Sequence, residues 1–233
     1  MLFSLRLGDV LEHMFRYKVL ERKLIDALPL AEKRRLEEML TQAIDRGCIS
    51  LTDDRYVLLD PLEMVILLIN MGFLDIERLV NFIEWHEFEN YIARVLQFAG
   101  FDVYSNYQHR GLVRFQIDVL GLDSIRKLGL VIECKHWRSI RRYSTKLAEA
   151  VKDHIRRVER LVKFCEWVVI NIPALRRIKT LIPVVVVLKS DAQKVIDNVP
   201  IVSITELRDF ILNIEKYVDE LELKTYSNRC YVE

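Results

Sequence analysis

Asp118, Glu133 and Lys135 are the residues of this chain whose types and spacing suit catalysis. Asp118 lies in Arg114-Phe115-Gln116-Ile117-Asp118-Val119-Leu120, and fifteen residues later Val131-Ile132-Glu133-Cys134-Lys135-His136 ends an apolar run in charges. Both segments read as short strands separated by a turn region from Gly121 to Gly129. A strand alternates its faces, so Glu133 and Lys135 share one and Cys134 points to the other. Neighbouring strands lie about 4.8 Å apart, so Asp118 can reach the same spot as Glu133. Two carboxylates that close repel, and one takes a proton unless a cation stands between them. Magnesium, or manganese in its place, takes oxygen ligands, and the Cys134 backbone carbonyl offers a third protein oxygen. A metal there acidifies water and neutralises charge on a phosphate, so the set suits phosphodiester hydrolysis. Lys135 would orient or deprotonate the water, or hold a non-bridging oxygen; the sequence leaves these roles open. The competing reading is a Glu133–Lys135 or Asp118–Lys135 ion pair at a strand end. Buried charges are costly unless they are paired or bound to metal.

The elements around these residues alternate helix and strand from Trp85 onward. The pattern predicts a helix over about Phe88 to Ala99, stopped at Gly100, and strands at Phe101–Ser105, Phe115–Leu122 and Leu128–His136. A long helix follows over about Thr145 to Phe164, with Leu147, Val151, Ile155, Val158 and Leu161 as its buried face. Then come a strand at Trp167–Ile172, a short helix near Ala174–Leu181 and a strand at Pro183–Leu188. An edge strand at Val199–Ile204 and a last helix capped by Thr205 and reaching Leu223 complete the series. This order implies an α/β fold, a mixed sheet with helices on both faces.

Residues 1–60 read differently, as a mainly α domain. Val10, Leu11, Met14 and Phe15 have helical spacing, a second helix fits Glu21 to Leu28, and a third fits Ala31 to Arg46 with Leu36, Leu40 and Ile44 on one face. Gly47 stops it, and Cys48–Leu51 and Tyr56–Leu59 flank the turn Thr52-Asp53-Asp54-Arg55. Three helices and a two-stranded ribbon resemble a winged-helix module, whose third helix usually enters the major groove. Here that helix offers Lys33, Arg34, Arg35 and Gln42, or equally a solvated face with Glu37 and Glu38. Residues 61–84 read as an apolar helical connector joined closely to both halves, since no Gly/Ser linker is present.

Composition excludes several classes. The chain has 233 residues, 51% hydrophobic and 30% charged, with 35 Lys or Arg against 34 Asp or Glu. Global disorder, a histone-like basic coat and an acidic tail are excluded. Gly (7) and Pro (5) are too scarce for a turn-rich sandwich. The apolar runs at Met64–Ile69 and Leu181–Leu188 fall short of the roughly 20 residues of a membrane helix. No secretory signal is visible, no CxxC pair supports zinc, and the four cysteines fit a reducing, cytoplasmic setting without a disulfide framework.

Residues 85–188 resemble the PD-(D/E)xK nuclease superfamily, in its restriction-endonuclease-like branch of Mrr proteins and archaeal Holliday-junction resolvases. The resemblance rests on Phe88-Glu89-Asn90-Tyr91-Ile92-Ala93-Arg94-Val95-Leu96, Gly100-Phe101-Asp102-Val103, Ile117-Asp118 and Glu133-Cys134-Lys135. It implies a restriction-endonuclease-like mixed sheet over residues 85–233 beside the winged-helix-like domain. It also implies a magnesium site on Asp118 and Glu133, a catalytic Lys135, and a contribution from Glu89, with Glu87 the weaker candidate. Ile117 stands where the motif's name has Pro, and Phe115-Gln116 replaces a Gly-rich approach. Gln116 either borders the site or satisfies a neighbouring backbone group.

The implied activity is metal-dependent DNA endonuclease cleavage. The alternatives are a junction- or branched-DNA nuclease and a DNA-binding or assembly protein on a nuclease fold that no longer cuts. From Lys135 to Lys163 there are ten Lys or Arg and three acids, a strip suited to a phosphate backbone. Its expected contacts are Arg138, Arg141, Arg142, Lys152, Arg156, Arg157 and Arg160, the alternative being a solubilising helix face compensated by acids elsewhere, and Trp137 and Tyr143 either stack on unpaired bases or anchor the core. One such metal site cuts one strand, so a homodimer is expected, with Phe210, Ile211, Ile214 and Val218 as one apolar stripe able to carry it.

Overall fold

The computed structural model describes residues 5–73, 75–111, 113–135, 143–188 and 195–233. The chain divides into two compact units, Met1–Glu87 and Phe88–Glu233.

In the first unit α1 (Leu7–Tyr17) buries Leu7, Val10, Leu11, Met14 and Phe15 on one face. Lys18, left-handed at φ 58°, ends it. The second expected helix, Glu21 to Leu28, shortens to the five-residue α2 (Arg22–Asp26), its first residue Glu21 ending the strand β1 (Val19–Glu21). α3 (Leu30–Asp45) buries Leu36, Met39, Leu40 and Ala43, while Ile44 faces solvent, one residue off the buried stripe. Gly47 at φ 71° turns the chain into β2 (Ile49–Thr52), and Asp53 and Asp54, both at positive φ, turn it into β3 (Arg55–Leu58). β1 joins this hairpin, giving a three-stranded sheet in the order β1-β3-β2. α4 (Pro61–Asn70) starts at Asp60, whose Oδ1 accepts from the Leu62 and Glu63 N–H groups, with Pro61 in the first turn. α4 is apolar almost all round because Leu62, Met64, Val65, Leu67 and Leu68 are all buried, in part against α3. α5 (Ile76–Val80) follows.

The second unit is α/β. α6 (Trp85–Phe98) leads into the antiparallel β4 (Asp102–His109), β5 (Phe115–Asp123) and β6 (Leu128–Lys135). Gly121 and Gly129 lie inside β5 and β6 rather than bounding a loop; the turn is Ser124–Lys127, and the Asp123 carboxylate accepts from the Ile125 and Arg126 N–H groups. A Cβ at Gly121 would stand 3.0 Å from Leu96, so this glycine lets α6 lie close on β5.

α7 (Tyr143–Lys163) and α8 (Cys165–Asn171) cross over to β7 (Thr180–Val187), which pairs parallel with β6. α8 replaces the strand expected at Trp167–Ile172. Its β-branched residues read as a strand, yet Cys165, Val168, Val169 and Ile172 are buried at helical spacing while Trp167 and Ile170 are exposed. A single 3-10 turn, Pro173–Arg177, occupies the first half of the place of the next expected helix, and β7 takes its last two residues. β8 (Val195–Ile196) and β9 (Val199–Ser203) close the sheet in the order β4-β5-β6-β7-β9-β8, so β9 is an inner strand, not the edge.

The last helix is two short ones, α9 (Leu207–Leu212) and α10 (Ile214–Glu220), and Glu206, not Thr205, holds the cap position. Phe210, Ile211 and Ile214 are buried inside the chain, so that stripe is spent on its own core. β10 (Tyr226–Ser227) pairs with the start of β7, and Cys165 and Cys230 form a disulfide. The expectation of a chain without disulfides is corrected on that point. The whole is a mixed seven-stranded sheet with flanking helices, plus the separate three-stranded sheet. Among the described residues no helix is long and apolar enough to cross a membrane.

Candidate functional site

The site forms at the C-terminal end of β6. The β5–β6 register runs through Val119 opposite Ile132, and its next step puts Asp118 opposite Glu133. The Cys134 backbone N–H donates to Asp118 Oδ2 at 2.9 Å, which ties the aspartate across to the neighbouring strand. The β4–β5 pairing passes from Ser105–Val119 to Tyr107–Ile117, and Asn106, left-handed at φ 51°, stands across from Asp118. A kink of that kind re-aims the side chains beside it.

Glu133 and Lys135 meet as their spacing on one strand requires, with Lys135 Nζ 2.6 Å from Glu133 Oε1. A second cation reaches the same oxygen: Arg157 Nη2 on α7 is 2.9 Å away. His154, one turn earlier on α7, is fully buried, and its Nδ1 lies 3.8 Å from Glu133 Oε2. Its Nε2–H donates to the Val131 carbonyl at 2.9 Å, which fixes the ring.

Burial dominates the electrostatics. Asp118 is 6% exposed and Glu133 2%. Burial first, then the charges of Glu133 and Glu89, push the Asp118 carboxyl up to about 6, against the Cys134 N–H and Arg157, which favour its ionised form. Burial holds His154 down to about 4, so it is neutral near pH 7. The Cys134 thiol is fully buried and raised by burial, which leaves only its backbone for the site. Glu89, on α6, is buried and close enough to act on Asp118 electrostatically. Glu87 instead pairs with Lys18 at 3.3 Å and accepts from the Glu84 N–H.

The sequence-derived set therefore comes together in Asp118, Glu133, Lys135 and, through its charge, Glu89. Among the described residues no group of three or more His, Cys, Asp or Glu side chains is arranged to hold a metal ion.

The expected basic strip divides. Lys152 and Arg156 are exposed and line a cleft of about 560 Å³ with Ile155, Asp197, Asn198 and Lys224; Arg156 also pairs with Asp153. Arg160 donates to the Arg114 carbonyl at 3.4 Å. Arg157 faces inward onto Glu133 instead of outward, a correction to the helical-wheel reading. The same reading put Ile155 in the buried stripe, where His154 sits and Ile155 is only part-buried. Arg138, Arg141, Arg142 and Trp137 lie outside the described residues, as does the Tyr143 side chain. His154 was missed, though the sequence carried a signal: a histidine three after Val151 and four before Val158 sits inside an apolar stripe. Gln116 bonds the Asn106 side chain, not a backbone group.

No protein-family model and no curated protein matches the chain. Among solved structures it is similar to protein VC1899 from Vibrio cholerae, at 14% identity and a TM-score of 0.37 over 92% of this chain. The match covers 50% of VC1899, so this chain spans about half the length of that protein.

Proposed function

We propose that the chain is a metal-dependent DNA endonuclease with a restriction-endonuclease-like second unit of the PD-(D/E)xK kind and a winged-helix-like first unit. The observation that carries this reading is the pairing of two buried carboxylates, Asp118 and Glu133, at one strand end with Lys135 beside them. The donor set fits magnesium: hard oxygens, and an Asp118 whose ionisation burial and neighbouring carboxylates oppose until a cation arrives. Asp118, Glu133 and the Cys134 carbonyl would hold the ion, which supplies an acidified water and charge neutralisation at phosphorus. Lys135 then has an ammonium free to hold a phosphate oxygen or orient the water, Arg157 keeps Glu133 oriented, and Glu89 tunes the charge of Asp118. Lys152, Arg156 and Arg160 supply sequence-independent phosphate contacts. Cutting both strands of a duplex requires two such sites, so the working form is a homodimer. Light scattering should give twice the chain mass, and a single-chain mass together with efficient double-strand cutting would overturn the dimer.

A second reading, a nuclease fold that binds without cutting, is favoured by one specific observation. Lys135 and Arg157 both engage Glu133 Oε1, a self-sufficient ion cluster. The two readings separate on a panel of duplex, single-stranded, flap, four-way-junction and methylated DNA with and without magnesium. The endonuclease cuts at least one of them only with the metal, and calorimetry detects manganese binding that Asp118→Asn loses. Absence of both cutting and metal binding leaves the ion cluster as structural.

A further inference from the structure

We propose that the β4–β5 hairpin is a groove-reading ribbon for double-stranded DNA, an inference that rests on the endonuclease reading above. Tyr107 and Phe115 on one face of the hairpin pack against the core, and His109 stacks on Phe115 with ring centroids 5.1 Å apart. That aromatic face anchors the ribbon. Strand alternation then sends Asn106 and Gln108 to the other face of β4, Arg110 follows directly after the strand's last residue, Gln116 stands beside Gln108 in the register, and all four are exposed.

These side chains form one chain of hydrogen bonds. Gln116 Nε2 donates to Asn106 Oδ1 at 2.9 Å, Gln108 Nε2 to the same oxygen at 3.4 Å, and Arg110 Nη2 to Gln108 Oε1 at 2.9 Å. In these contacts Asn106 uses only its oxygen, so its amide N–H groups remain for an outside acceptor. Amides and guanidinium groups held in a row are the chemistry that recognises purine edges: Asn or Gln on adenine, Arg on guanine. The charge agrees, since no acid occurs from Val103 to Ile117 while Arg110 and Arg114 do. Arg114 also lines a cleft of about 450 Å³ with Gln108, Arg110 and Gln116, and its carbonyl accepts from Arg160 of the basic helix.

The placement fixes what is read. The row starts at Asn106, across from Asp118, and runs outward to Arg110, about 13 Å along the strand. With stacked base pairs about 3.4 Å apart, that span covers roughly four base pairs beginning next to the cut. A major groove in B-form admits a two-stranded ribbon, whereas the deep, narrow groove of A-form RNA does not, so the partner is DNA.

The test uses the full chain and three proteins: wild type, Gln108→Ala/Arg110→Ala/Gln116→Ala, and the charge-reversed Arg110→Glu/Arg114→Glu. All the altered residues are exposed, and thermal melts check that each variant folds. Anisotropy of a labelled 30-base-pair duplex without metal gives Kd, and sequencing of cut ends from a randomised duplex with magnesium gives base preference. We expect Kd to rise about tenfold or more in both variants. We also expect loss of base preference within about four base pairs of the cut in the first. Wild-type Kd and wild-type preference in both variants would overturn the ribbon and leave the endonuclease standing. A wild-type protein that neither binds nor cuts a duplex would overturn the ribbon, and one that also cuts no other member of the DNA panel above would overturn both readings; tighter binding to duplex RNA than to DNA would overturn the choice of partner.

Discussion

Arg157 Nη2 and Lys135 Nζ converge on one oxygen of Glu133, at 2.9 and 2.6 Å, one from the crossover helix and one from the strand itself. The two cations are not equivalent. Lys135 is at the open end of β6, and Arg157 is rooted on a helix whose next inward residue is the buried His154.

Lys135→Ala should therefore remove most of the cutting rate while leaving metal binding intact. It should cost less than about 1 kcal/mol of stability, because Arg157 still pairs Glu133. Arg157→Ala should cost about 1–3 kcal/mol, since it withdraws the inward partner of a carboxylate that water reaches poorly. Thermal melts with single-turnover cleavage separate the two. A large loss of stability with unchanged turnover in Lys135→Ala would assign the lysine to structure alone.

Asp118→Asn should abolish metal-dependent cleavage and, without metal, stabilise the protein near neutral pH. The aspartate's folded pKa, about 6, stands above its ordinary 3.8, so the native state binds its proton more tightly than the unfolded one. Its penalty is complete above about pH 6 and disappears as the pH falls below 4. His154 has the opposite sign: with a folded value near 4 against an ordinary 6.5, it removes stability as the pH falls from 6.5 toward 4. Wild type thus combines two opposed slopes over overlapping ranges. Melts between pH 4 and 8 in chelator should show Asp118→Asn gaining about 1–3 kcal/mol at pH 7 and losing stability more steeply than wild type on acidification. His154→Gln should flatten the acid side. Parallel stability curves for wild type and Asp118→Asn would contradict the raised aspartate.

The site's strands were legible in the sequence because their charges interrupt apolar runs with a period of two: Glu133 and Lys135 on one face could be placed without any knowledge of the rest. The helix that completes the site was legible in extent but not in rotation. Arg157 is long enough to bury its stem and bring its head inward, so its type gave no warning that it would leave the basic face. α8 was misread because β-branched residues carry strand propensity while their burial pattern, at Cys165, Val168, Val169 and Ile172, is helical. The disulfide joins residues 65 positions apart, a pairing that only the folded sheet brings within reach.

Replacing Lys152, Arg156 and Arg160 together by Ala should weaken DNA binding across sequences. The dependence of log K on log salt should flatten by up to about 0.9 for each phosphate that the protein no longer neutralises. Arg157 is left in place here, because removing it would disturb Glu133 and confound binding with folding. Titrations at several salt concentrations check this. An unchanged slope would move the backbone path off α7.

The Cys165–Cys230 disulfide ties the C-terminal tail to α8 in the core, away from the proposed site. β10 and the tail meet the start of β7 at Thr180 and Leu181, whereas Glu133 and Lys135 pair with Val185 and Val187 at its other end. The four to seven residues of strand between them span about 13–23 Å. The tail has other anchors as well, because the buried Asn228 amide donates to the Leu175 and Ile178 carbonyls at 2.8 Å. Closing a loop of 65 residues restricts the unfolded chain by roughly 4 kcal/mol in the entropic account. Cys230→Ser should accordingly lower Tm by about 8–16 °C in oxidising buffer, while reductant should bring wild type down to the variant's Tm and leave the variant unmoved. Cleavage well below either Tm should be the same in all four conditions. A fall in cleavage that tracks reduction at constant folded fraction would mean that the bond acts on the site and not only on the stability of the sheet.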